Sequence, residues 1–199
     1  MPRGAVADEI AAALDVSRTL VRTLLEEVGE RQYCHQRLLA QKVANAAGSP
    51  RAASRIEAIL RRRCLEMTEA SPYPDAAKAL KQLRRLGWKI LLLSNAVGVP
   101  GRGTPSWYRL VDLAIHSYET GYVKPEPEAF RAVEASAGLS ADQLIHVGNS
   151  WDPDVTGALG AGWAAVYLFG KPAIESHPGV PAVPTFDELV RLLGKPACK

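Results

Sequence analysis

The sequence predicts an α/β fold: a parallel sheet with helices on both faces, behind an N-terminal block that is helical throughout. Three observations predict it. Residues 5–70 are rich in Ala, Leu, Arg and Glu and contain no strand-like run. After residue 75, short apolar runs alternate with amphipathic helical stretches, the rhythm of a parallel sheet with crossover helices. Polar and glycine-rich clusters follow those apolar runs, at the strand ends where open parallel sheets bind ligands.

The elements follow in chain order. Ile10, Leu14, Val21, Leu24, Leu25 and Val28 recur at helical spacing. Ala47-Gly48-Ser49-Pro50 breaks the pattern and Arg51–Met67 resumes it, giving three or four helices. Ser71-Pro72-Tyr73-Pro74-Asp75 reads as a stiff connector, with Asp75 as N-cap of the next helix. Ala76–Leu86 is an amphipathic helix stopped by Gly87. Strands are expected at Trp88–Leu93, Asp112–Tyr118, Leu144–Val147 and Ala164–Phe169, and helices at Glu126–Ala137, about Val155–Ala161, and Phe186–Leu193. The expected division is 1–70 and 71–199.

A chain of 199 residues, 47% hydrophobic with net charge +3, can bury a core and is not dominated by disorder. No apolar run approaches ~18 residues, so no transmembrane helix is expected, and no apolar leader follows Met1. Cys34, Cys64 and Cys198 are odd in number and form no CxxC. A cytoplasmic protein with reduced thiols is expected. Basic and acidic residues balance on both sides of residue 70, unlike a typical nucleic-acid binder. The local exception, Arg51, Arg55 and Arg61-Arg62-Arg63, reads as a solvated helix face.

Three segments carry chemistry. Leu91-Leu92-Leu93-Ser94-Asn95 delivers a hydroxyl and an amide into a loop holding Gly98, Gly101 and Gly103, a combination suited to an anionic oxygen. Lys124 precedes Pro125, which holds its backbone extended and allows a fixed ammonium. Val147-Gly148-Asn149-Ser150-Trp151-Asp152-Pro153-Asp154 places an amide and two carboxylates between a strand and a helix. Each has a plainer reading: Ser94-Asn95 as a turn, Lys124 as a solvated lysine, Asp152 or Asp154 as a helix cap.

In this order, Ser after a strand, Lys before Pro, then Gly-Asn-Ser with Asp154 and Gly157-Ala158 resembles the haloacid dehalogenase-like hydrolase superfamily over roughly residues 72–193. The resemblance implies a Rossmann-like core (71–199) with an N-terminal helical cap (1–70) that closes over substrate. It implies that Ser94 binds the transferring group, that Lys124 steadies the charged intermediate, and that Asn149 and Asp154 stand where the family holds Mg²⁺.

Two departures limit it. The family's nucleophile motif, Asp-x-Asp-x-Thr after an apolar strand, is missing. The one candidate, Asp15-Val16-Ser17-Arg18-Thr19, follows an Ala-rich stretch that reads as helix. The late motif has Asn149 in place of Asp, leaving Asp152 and Asp154 as a weak metal pair. Asn149-Ser150-Trp151-Asp152 also echoes the Asn-x-Trp-Asp of metal-free 2-haloacid dehalogenases. No cofactor is expected, and Mg²⁺ only if the first motif is supplied. The expected ligand is a small phosphate or carboxylate held by Ser94, Asn95, Lys124 and Asn149, unless Lys124 instead pairs with Asp152 or Asp154.

The missing motif also removes a central strand between Ile90–Leu93 and Leu144–Val147. Direct closure of the sheet, a strand from Gly4–Ala7, or a strand from a second chain or second copy would compensate. Both a nucleophile segment outside these residues and a shortened family member remain open. A rival reading takes Ala7–Leu25 as a helix-turn-helix, with Ser17 capping the second helix and Arg18 and Arg22 facing phosphates. That stretch is not net basic, so DNA binding is not the expected function.

Overall fold

A computed structural model describes residues 4–30, 36–69, 73–96, 106–168 and 178–194. The chain divides into two compact units. One is Met1–Ala70 with Asn95–Ser106 and His116–Gly121; the other is Ser71–Ser94, Trp107–Ile115 and Tyr122–Lys199. The first boundary falls at 70/71, but two short segments following strands group with the helices rather than with the sheets.

The helical unit contains α1 (Gly4–Leu14), α2 (Arg18–Leu24) running on as a π-turn (Leu25–Glu30), α3 (Gln36–Ala46) and α4 (Ala53–Glu69). Asp15 adopts a left-handed φ of 55°, which ends α1. Ser17 Oγ then accepts from the Leu20 N–H at 3.2 Å and caps α2. Ile10, Val21, Leu39, Val43 and Ile56 are fully buried against one another. Each such side chain stabilises the unit by roughly 1.5–3 kcal/mol. Glu9 on α1 receives both Arg62 and Arg63 of α4, while Arg55 donates to the Ala13 carbonyl at 3.2 Å. Arg55, Arg62 and Arg63 therefore tie α4 to α1, while Arg61 pairs with Glu57 on its own, solvated face of the helix. Over Ala7–Leu25 two helices joined by a short turn are present, with Arg18 paired with Asp8 and Arg22 with Glu26. Asp15 sits in a turn between helices, not at a strand end.

The second unit begins with α5 (Pro74–Arg85). Its N-cap is Tyr73 and not Asp75, because Pro74 takes the first helical position and leaves Asp75 in the first turn. Strand β1 is Leu91–Ser94, shorter at its start than expected; Trp88 instead sends its indole N–H to the Leu193 carbonyl at 3.2 Å. Strand β2 (Leu113–His116) stops earlier than expected. Helix α6 (Ser117–Thr120) begins there because the His116 N–H donates to Glu119 Oε2 at 2.9 Å, a reciprocal cap. Helix α7 (Pro127–Ala137) leads to β3 (Ile145–Gly148).

The expected loop after β3 is helical from Trp151. A π-turn (Trp151–Thr156) runs into α8 (Gly157–Gly160), then β4 (Ala164–Leu168). A two-residue strand β5 (Ala182–Val183), not anticipated, precedes α9 (Phe186–Leu193), which Thr185 caps and which packs on α5.

Strands β3, β4 and β5 form one parallel ladder, with Ile145 opposite Ala164 and Gly148 opposite Tyr167. Strands β1 and β2 form a separate sheet. The expectation of one continuous sheet is corrected, since no ladder joins β1 to β3 among the described residues. Leu93, Ile115, Phe130, Val133, Leu144, Trp163 and Ala165 nevertheless share one core, so side chains rather than backbone bonds hold the two sheets together. Among the described residues neither sequence-based remedy within the chain occurs: no ladder closes the sheets directly, and Gly4–Ala7 is the first turn of α1, as its alanines favour. Cys34, Cys198, the Cys64 side chain and Gly98, Gly101 and Gly103 lie outside the described residues.

Candidate active site

The site is built on the C-terminal end of β3. Gly148 is its last residue, and the π-turn that follows folds Asp154 back beneath the strand end. A Cβ at position 148 would collide with the Asp154 side chain, so only glycine admits this return. Gly157 serves the same packing one turn on: a Cβ there would lie 2.8 Å from the Phe130 ring and 2.9 Å from the Pro125 Cα.

Asp154 is buried and fully engaged. Its Oδ1 accepts from Lys124 Nζ at 2.6 Å and from His146 Nε2 at 3.3 Å, and its Oδ2 accepts from the Ser150 N–H at 3.0 Å. Lys124 is buried too. Val123 and Glu126 fix the Lys124 backbone: the Val123 N–H donates to Glu126 Oε2 at 3.0 Å, and the Glu126 N–H to the Val123 carbonyl at 2.8 Å. Burial alone would raise the Asp154 pKa. The His146 hydrogen bond and the Lys124 charge outweigh it and hold the carboxyl well below the usual range. Burial pushes His146 down from its ordinary value, against the pull of Asp154. His146 is therefore neutral at pH 7 and donates from Nε2, since an ionised carboxylate can only accept. Its ring stands edge-on to Phe130 and Trp163, with centroids 5.5 and 6.4 Å away, and Trp163 anchors itself by donating to Glu134 at 2.7 Å.

Of the residues picked out in the sequence, the structure joins Lys124 to Asp154. Lys124 is not a solvated lysine; of the alternatives stated for it, pairing with Asp152 or Asp154, the contact with Asp154 is the one observed. Ser94 ends β1 half-buried, and Asn149 and Asp152 are exposed beyond β3. Asn95 follows Ser94 and groups with the helical unit. Asp154, one of the two aspartates expected as a weak metal pair, is held by Lys124, while Asp152 is exposed. Among the described residues no three His, Cys, Asp or Glu side chains converge to hold an ion. With one carboxylate engaged and an amide at 149, the donor set does not fit the divalent ion the family implies.

Sequence reading missed His146. Period-two alternation could have found it, because His146 shares a strand face with Gly148, the residue Asp154 folds against.

A strand-end loop, a buried lysine reached from the preceding crossover, and an acidic turn that receives it define one class of hydrolase core. The match to the haloacid dehalogenase-like hydrolase family model spans residues 4–162, and the chain belongs to that family. It is 27% identical over 177 residues to glyceraldehyde 3-phosphate phosphatase of Methanopyrus kandleri, covering 83% of this chain and 74% of the relative. It is 32% identical over 142 residues to phosphoserine phosphatase of Thermus thermophilus, covering 67% of this chain and 53% of the relative. The 2-haloacid dehalogenase of Pseudomonas syringae pv. tomato has the same fold, with TM-score 0.60 at 17% identity, covering 95% of this chain and 87% of that one. No helix among the described residues is long and apolar enough to cross a membrane.

Proposed function

We propose that this chain is a divergent family member whose α/β unit binds a small phosphate- or carboxylate-bearing ligand, with weak or no metal-dependent phosphatase activity, in the cytoplasm. One observation carries the reading: the Lys124–Asp154 pair neutralises the buried carboxylate beneath the β3 end. An anion arriving there meets a compensated charge, and Asn149 offers an amide donor where a carboxylate would repel. Ser94 offers its hydroxyl, and Asn95 follows it. Lys124 contributes by cancelling the charge of Asp154. Phosphatases among the relatives favour a phosphate monoester.

The test pairs calorimetry with turnover. Inorganic phosphate is expected to bind, and glyceraldehyde 3-phosphate and phosphoserine to be hydrolysed slowly or not at all, with or without Mg²⁺. Fast turnover abolished by a chelator overturns the divergent reading; no phosphate binding overturns the anion reading.

The split sheet favours a second reading. An extended strand from a second chain or second copy pairs with the open edges of β1 and β3 and, if it ends in aspartate, supplies the nucleophile. Light scattering tests the homodimer arm, with a monomer at all concentrations counting against it. Turnover restored by a strand peptide ending in Asp would support the nucleophile arm.

A further inference from the structure

The α6 segment carries a buried hydroxyl that the site described above does not use. Ser117 is 1% exposed, and it forms two hydrogen bonds with one residue. Its Oγ accepts from the Ala96 N–H at 3.1 Å and donates to the Ala96 carbonyl at 3.3 Å. Ala96 lies two residues beyond Ser94, where β1 has ended and the strand ladder no longer satisfies the backbone. Ser117 is itself held firmly. The His116–Glu119 cap fixes the start of its helix, and the Gly121 N–H returns to the Ser117 carbonyl at 2.7 Å.

We propose that Ser117 is a positioning residue for ligand binding: its hydroxyl fixes the backbone that leaves Ser94 and Asn95, and so sets the aim of those two donors. The inference rests on the reading of Ser94 and Asn95 as anion donors. A hydroxyl is needed because one group must both donate and accept, which no apolar residue of that volume can do. Donors on a backbone free to shift by an ångström lose affinity even when every donor is still present.

The test measures phosphate affinity by calorimetry well below the melting temperature, beside the exchange rate of the Ala96 amide. Ser117→Ala is expected to weaken phosphate binding about three- to tenfold, the scale of one neutral hydrogen bond, and to speed Ala96 exchange. Ser117→Cys, similar in size but a poorer donor and acceptor, is expected to fall between. Faster exchange or a lowered melting temperature with unchanged affinity in both variants makes Ser117 merely structural and overturns the inference. Unchanged Ala96 exchange in both variants overturns it as well. If the unsubstituted protein binds no phosphate, the anion reading fails and the inference falls with it. That outcome is distinguishable, because the exchange of Ala96 still responds to Ser117.

Discussion

Lys124 Nζ stands 2.6 Å from Asp154 Oδ1, and both side chains are buried. Thirty residues separate them in sequence, so the contact ties the crossover after β2 to the turn after β3. Removing one partner strands the other charge in a dry setting. Lys124→Met should therefore cost about 3–5 kcal/mol, read from urea unfolding. The double variant Lys124→Met with Asp154→Leu should recover much of that loss. A double variant no better than the single one would show that the two side chains do not act as a pair.

The same cluster sets an acid dependence. His146 and Asp154 both have lowered pKa values in the fold, so the unfolded chain binds more protons at acid pH. Their stabilisation is present above the ordinary values, 6.5 and 3.8, and is lost as pH falls below each toward the folded value. Stability measured against pH should drop in two stages. His146→Asn should abolish the upper stage and shrink the lower, which then rests on the Lys124 charge.

Gly148 and Gly160 make a matched comparison. A methyl at 148 runs into Asp154, whereas one at 160 meets nothing within 4 Å. Gly148→Ala should lower the melting temperature sharply and disturb the Lys124–Asp154 pair. Gly160→Ala should leave the protein as stable or slightly more so.

Asn149 is exposed at the strand end and tests the electrostatics of the site directly. Asn149→Asp should weaken phosphate binding several-fold at low salt, and less as salt screens the added charge. Added Mg²⁺ should not restore it, because the neighbouring Asp154 remains held by Lys124. Restoration by Mg²⁺ would show that the acidic turn can release its carboxylate.

Much of this architecture was legible because it is periodic. Ile10, Val21, Leu39 and Ile56 lie on helical faces, and β3 and β4 are short apolar runs bounded by turn residues. What escaped reading depends on contacts distant in sequence or on cap geometry. The expected strand at Asp112–Tyr118 breaks at His116 because Glu119 caps a helix there. Asp154, not Asp152, receives Lys124 because the turn after β3 is helical from Trp151 and carries residue 154 inward. The motif spacing brought Lys124 and two aspartates into view, but only the fold chose between them. That no ladder joins β1 to β3 among the described residues is a matter of backbone pairing between distant segments, which periodicity within each one can only hint at.

The edge-on stack of His146 against Trp163 gives the molecule an optical gauge. A protonated imidazole quenches a neighbouring indole, whereas a neutral one does so far less. Trp163 is buried and should emit toward the blue. In a chain whose other tryptophans, Trp88, Trp107 and Trp151, are replaced by phenylalanine, its emission would report directly on the charge of His146. The protein would then signal, without any added dye, the moment at which acid reaches the base of its strand-end turn.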